Sequence, residues 1–304
     1  MTDLLAALGE PFQHAFMRNA FAAIVLVGLI CGVMGVFVTL RGLAFMGDAI
    51  AHAVFPGVVI SYVLGGSYLV GAIVAAMVVS LAIGIVTQSG LVRNDTAIGV
   101  FFVGAFALGV AIISTQRSYA RDVTSLLFGS ILGVSSRDLL LTAGVGGLVL
   151  LGLWLFRREV IAVSFDRTFA QTQGLNLWGW DQLFLLLLAL TIVISLQTVG
   201  NVLVLAMLVT PAATARMLTT RLAPMLAVSG VIGAAAGIAG LYLSYFWGIS
   251  SGASIVLVAT AIFVVVFLFA PRTGAITTRV ARRLHFPHPE HDRFPEDEIA
   301  GSSA

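Results

Sequence analysis

The residues best placed to do chemistry are an aspartate and a histidine, Asp48 and His52, four positions apart in an otherwise apolar stretch. On a helix that spacing puts both side chains on one face, about 6 Å apart. A carboxylate in hydrocarbon costs at least about 2.5 kcal/mol, and such groups ordinarily face a cavity or a pathway. Three chemistries are open to the pair. It can form a structural hydrogen bond that fixes helix packing. It can relay protons, because imidazole titrates near neutrality. It can ligate a divalent cation, since an imidazole with a carboxylate suits Zn2+, Mn2+ or Fe2+. Two ligands do not close a site, but two copies of the helix meeting at a dimer axis would supply two nitrogens and two carboxylates, enough for a transient four-coordinate site. Pro56 and Gly57 follow directly and weaken the helix beside the pair, where a gate needs the backbone to yield.

The elements that must position this pair are transmembrane helices. Of 304 residues, 59% are hydrophobic and only 10% charged, against about 25% charged in a soluble domain. The apolar residues fall in runs of the roughly 20 residues that cross a bilayer. Without water the backbone of such runs must bond within helices or a closed barrel, and the runs lack the two-residue alternation of barrel strands. The fold class is all-α: a polytopic transmembrane helical bundle of eight or nine spans with a short cytoplasmic helix. Its spans read as 20–40, 43–64, 68–88, 97–115, 138–156, 182–197, 199–218, 223–245 and 249–270. The block 182–218 is interrupted around Gln197, Gly200 and Asn201, with Pro211 beyond, so the count is eight or nine. Gly200, Asn201 and Pro211 join Pro56 and Gly57 as candidates for a gate or helix break. The stretch 123–134 is too short to cross and reads as a re-entrant or interfacial helix.

Three regions follow. Residues 1–19 form an N-terminal interfacial segment, with Leu4, Leu5, Leu8, Phe12 and Phe16 toward lipid. Residues 20–270 form the membrane domain, and 271–304 a cytoplasmic tail, basic and then rich in histidine and acids. The tail carries His285, His288 and His291; its prolines exclude a helix, and its composition is that of a disordered solvated segment that loosely binds metal at most.

All 16 basic residues are arginine, which removes a class of mechanisms. A P-loop needs a lysine to reach the β- and γ-phosphates, so any ATP that drives this chain is bound by another polypeptide. No His-Glu-x-x-His occurs and no nucleophile sits beside a base, so the chain is read as no enzyme. With the C-terminus inside, the cytoplasmic segments hold Arg41, Arg93, Arg157, Arg158, Arg167, Arg216, Arg221 and the arginines of the tail. The outer ones hold Arg18, Arg117, Arg121 and Arg137, the bias expected of cytoplasmic loops. Nine spans then put the N-terminus outside. No nucleic-acid partner is expected. Cys31 has no intrachain partner and reads as a packing residue. Gly28 with Gly32, and Gly233 with Gly237, are spaced by four and allow close helix crossings.

The longest internal loop, after Phe156, runs Arg157 to Leu175. In it Ser164 or Asp166 caps a short helix ended by Gly174, with Phe165, Phe169 and Ala170 projecting as a knob. Three segments carry a family resemblance: Arg41 through Asp48 and His52 to Gly57; Ser164 to Gly174; and Val199-Gly200-Asn201 through Pro211 to Arg216. Together they resemble the zinc/manganese/iron permeases of the ABC-3 transporter family, over about residues 10 to 270. The resemblance implies the membrane subunit of an importer in the bacterial inner membrane. That subunit works as a dimer with a second permease copy, is fed by an extracytoplasmic metal-binding protein, and is driven by a pair of ATP-binding subunits docked on the loop at Ser164, Phe165, Asp166, Phe169, Ala170 and Gly174. It further implies that Asp48 and His52 contact the transported metal, zinc or manganese with iron as a third candidate, and that no cofactor is tightly bound. Ala51 and Asn201 depart from the family pattern, where serine and an apolar residue are commoner. The competing reading is a proton-coupled secondary carrier that uses Asp48 and His52 as its relay.

Overall fold

A computed structural model of the chain describes residues 9–115, 131–270 and 274. The described residues form helices and turns, with no strand among them. Twelve helices are numbered here in chain order: α1 Ala15–Leu40, α2 Ala44–Ala53, α3 Phe55–Val63, α4 Tyr68–Gln88, α5 Asn94–Ser114, α6 Ser136–Leu155, α7 Arg157–Phe165, α8 Arg167–Thr172, α9 Leu177–Val199, α10 Asn201–Leu218, α11 Leu222–Trp247 and α12 Ser251–Phe269. With α2 and α3 taken as one interrupted span, Ala44–Val63, the described residues contain 9 segments long and apolar enough to cross a membrane. The higher of the two expected counts holds, because the break at Gly200 separates two full crossings.

The helices fall into two packed sets. In one, α1 lies against α10 and α11, and α12 against α10 and α11. In the other, α4 packs on α3 and α9, and α5 on α2 and α3. The sets meet where α1 touches α6 and α9 and where α2 touches α9 and α10. The spaced glycines make the tightest contact of the first set. A Cβ on Gly28 would lie 2.8 Å from the backbone of Gly233 and Ala234, and the Ser229 hydroxyl donates to the Gly32 carbonyl at 2.7 Å. In lipid, where apolar surface gains little by association, such backbone approach and interhelical hydrogen bonding hold helices together. Cys31 is buried, its sulfur 3.4 Å from Ser195 Oγ on α9.

Three expectations need correction. The first span begins at Ala15 rather than 20, so Phe16 is part of α1. Phe12 is exposed and also stacks on Phe21 at 4.8 Å between ring centres; Leu4, Leu5 and Leu8 lie outside the described residues. The span 43–64 breaks at Val54, two residues before the proline. Pro56 has no N–H to return to the carbonyl four residues back, that of His52, and its ring crowds that turn, so the helix yields there. Ala170 is fully buried and does not project. Of the stretch 123–134, residues 131–133 form a 3-10 turn and most of the rest lies outside the described residues. The tail histidines lie outside them too.

Candidate metal-binding site and coupling loop

Asp48 and His52 lie on α2, which packs among α4, α5, α9 and α10. His52 Nε2 is 3.5 Å from Asp48 Oδ1, and the side chains are 26% and 41% exposed. The pair therefore shares one face, as its spacing requires. The imidazole is held by rings from α5: Phe102 at 5.4 Å and Phe106 at 5.7 Å between centres. A third polar group closes in from a distant part of the chain. Asn201 Nδ2 is 2.9 Å from His52 Nε2, while Asn201 Oδ1 is buried without a hydrogen-bond partner among the described residues. Among those residues no further His, Cys, Asp or Glu joins the pair to make a group of three.

The backbone at Gly200 delivers Asn201. Gly200 has φ 86° and ψ 166°, a combination open in practice to glycine alone, and it lets the chain end α9 and start α10 within one residue. Gly200 and Asn201 thus make a true helix break, next to the metal-ligand candidates. Pro56 and Gly57 lie just beyond His52 at the start of α3. A Cβ on Gly57 would sit 2.1 Å from the Gly71 carbonyl oxygen, so that glycine serves a close crossing of α3 with α4. Pro211 is buried inside α10, away from the pair in sequence and on the same helix as Asn201.

The loop residues form a separate station. Asp166 caps α8, its carboxylate accepting from Phe169 N at 2.8 Å, and Gly174, at φ 76°, ends it. Leu175 N donates to Ala170 O at 3.1 Å and Gly174 N to Gln171 O at 3.0 Å, the paired bonds of a Schellman motif. Phe165 and Phe169 are 60% and 53% exposed. Ser164 is no cap; its hydroxyl donates to the Val160 carbonyl and accepts from Arg41 Nε at 2.8 Å. Arg41, between α1 and α2, also pairs with Asp181 Oδ1 at 2.8 Å and lies 4.1 Å over the Phe184 ring. Burial pulls the Arg41 pKa below its usual value, and Asp181 opposes that shift. The other oxygen of Asp181 meets Arg167 of α8 at 2.7 Å. One carboxylate at the start of α9 thus ties the loop helix to the entry of α2. A cavity of about 640 Å3 opens beside it, lined by Arg41, Ser164, Asp181 and Gln182 and reaching Met46, two residues before Asp48.

Sequence reasoning missed Arg41 and Asp181 as partners, since 140 positions separate them; a lone acid at the start of a span was the available signal. Asn201 stands out in the sequence as a candidate gate or helix break and as a departure from the family pattern, but not as a partner of His52.

The sequence profile of the ABC 3 transport family matches residues 13–270. This chain belongs to that family. Among its relatives is the manganese transport system membrane protein MntC of Halalkalibacterium halodurans, 46% identical over 277 residues, covering 91% of this chain and 95% of that protein. Another is the manganese import system permease protein ScaB of Streptococcus gordonii, 38% identical over 87% of this chain and 95% of that protein. A solved structure of PsaBC from Streptococcus pneumoniae in complex with Fab superposes with a TM-score of 0.80 at 36% identity, covering 92% of this chain and 99% of that one. The ABC 3 family chain is thus similar to these proteins over nearly its whole described membrane domain.

Proposed function

We propose that this chain is the membrane-spanning permease subunit of an ATP-binding cassette importer that carries a divalent transition metal, manganese above zinc or iron, across the bacterial inner membrane. The observation that carries the proposal is the polar group of Asp48, His52 and Asn201 set at the seam between two helix sets. Family membership favours this over a self-contained proton-coupled carrier, and the described helices of the chain serve as a conduit.

The half-exposed Asp48 carboxylate argues for a second copy. At about 1.5 Å of rise per residue, Asp48 lies about 6 Å and His52 about 12 Å along the span from Ala44. A carboxylate left on lipid there would be costly, so its open side faces a second permease whose own Asp48 and His52 complete the cation site. An extracytoplasmic metal-binding protein delivers the ion, which is held only as substrate. The exposed Phe165 and Phe169 dock into a cytoplasmic ATP-binding subunit, one per permease, with the C-terminus on the same side. Movement of α8 passes through Arg167, Asp181 and Arg41 to α2, and the break before Pro56 lets α2 swing without α3. The cavity that reaches Met46 then serves as the route by which the cation leaves toward the cytoplasm.

The test is uptake of 54Mn2+ into proteoliposomes that hold the permease with its ATP-binding partner. Asp48→Ala and His52→Ala abolish uptake, at least 100-fold below wild type, while the complex assembles normally. Undiminished uptake in both variants sinks the site.

A further inference from the structure

Two ligands per copy leave a puzzle that Asn201 resolves. Its side chain is 6% exposed, it sits 2.9 Å from the His52 nitrogen, and its amide oxygen has no partner among the described residues. A buried amide with one half idle is unusual unless something outside the chain uses it.

The spacings fit a cation. At metal–ligand distances of about 2.1 Å, donors at a right angle stand about 3.0 Å apart, and donors at a tetrahedral angle about 3.4 Å apart. The separations around His52 Nε2 are 2.9 Å to the Asn201 amide and 3.5 Å to the Asp48 carboxylate. Phe102 and Phe106 hold the ring in place, and Gly200 fixes the first turn of α10. Little more than rotation of the amide brings its oxygen to an ion seated on Nε2.

Resting on the reading of Asp48 and His52 as the transport site, we infer that Asn201 is a third ligand of the transported cation and sets its selectivity. In the free state the amide bonds Nε2. When a cation takes the Nε2 lone pair, the amide turns and gives its oxygen to the ion. Each copy then supplies one nitrogen and two oxygens, and two copies supply an octahedral set of two nitrogens and four oxygens in place of a four-donor site. Six donors rich in oxygen suit Mn2+, whereas Zn2+ prefers four. Asn201 is thereby a filter against zinc.

The experiment uses the full permease–ATPase complex in lipid nanodiscs. Mn2+ binding is followed by loss of the free-ion paramagnetic resonance signal, and Zn2+ binding by competition against Mn2+. Asn201→Leu is expected to weaken Mn2+ binding about tenfold and to change Zn2+ binding less than about threefold. Asn201→Asp retains an oxygen and is expected to keep Mn2+ binding at or above wild type, although it has no N–H to offer His52. Equal weakening of both metals in Asn201→Leu, or an Asn201→Asp complex that binds Mn2+ as poorly as Asn201→Leu, makes Asn201 a hydrogen-bond donor that merely positions the ring and overturns the inference. Should Asn201→Leu fail to assemble, the Asn201→Asp measurement alone decides. Asp48→Ala serves as the control for the underlying site: it is expected to lose both metals, and its undiminished binding would remove that site whatever Asn201 does.

Discussion

At the scale of single residues, the chain contrasts a polar group left incomplete with one that is complete. Around His52 an amide oxygen stands idle. Around Arg41 the guanidinium meets Ser164, Asp181 and the Val160 carbonyl, and its side chain is only 8% exposed. The planar fork of arginine makes this set possible, where a lysine would offer a single point of charge. A guanidinium so enclosed depends on its carboxylate: removing one partner of a buried pair strands the other charge and costs about 3 kcal/mol. Asp181→Ala is therefore expected to lower the melting temperature of the purified permease by several degrees, read by thermal size-exclusion, whereas Asp166→Ala, which removes only a cap on an exposed helix, costs about 1 kcal/mol. Equal shifts in the two would mean that the Arg41 contacts add nothing. The chain makes the Asp48–His52 pair legible because helical geometry alone joins positions four apart. It conceals Asn201 and Asp181, which reach their partners across 149 and 140 positions, through tertiary packing that no local pattern encodes.

At the scale of elements, helix ends follow local sequence rules more closely than helix packing does. The loop helix α8 was readable in advance because its ends obey local rules: a capping aspartate three residues before the N–H it accepts from, and a glycine in left-handed conformation after its last turn. What the rules could not give was its rotation about its own axis, which buries Ala170 and turns Phe169 outward, beside the exposed Phe165 that ends α7. In the same way Pro56 announced a weak point, and its steric reach into the preceding turn moved the break to Val54. Two large exposed aromatics beside a capped, ion-paired helix stand clear of the core, as the docking role proposed for them requires. Phe165→Asp with Phe169→Asp is accordingly expected to abolish co-purification of the ATP-binding subunit, with the melting temperature of the permease itself within about 1 °C of wild type, as for exposed substitutions. Retention of the ATPase by that double variant would remove the loop from the docking surface.

At the scale of the whole molecule, the seam between the two helix sets carries the polar residues, and the sets themselves are held by glycine. The sequence spacing of Gly28, Gly32, Gly233 and Gly237 said that some helices approach closely; it did not say which, because any small-residue face can meet any other. The pairing of α1 with α11 brings Gly28 and Gly233 backbone to backbone, and α1 in turn contacts α10, α6 and α9, so it is the post on which both sets are assembled. A side chain at position 28 would have its Cβ 2.8 Å from backbone atoms of Gly233 and Ala234, atoms that cannot rotate away. Moving α11 aside would shift α10 with it, and α10 brings Asn201 to the site. Gly28→Leu is thus expected to yield no monodisperse protein on detergent size-exclusion, a loss of more than about 3 kcal/mol from overpacking. Gly144→Leu on α6, where a Cβ meets nothing within 4 Å, is expected to elute as wild type. A well-folded Gly28→Leu permease with wild-type Mn2+ uptake would show that the seam does not depend on the α1–α11 contact, and that the position of Asn201 is set from the α9 side through Gly200 instead.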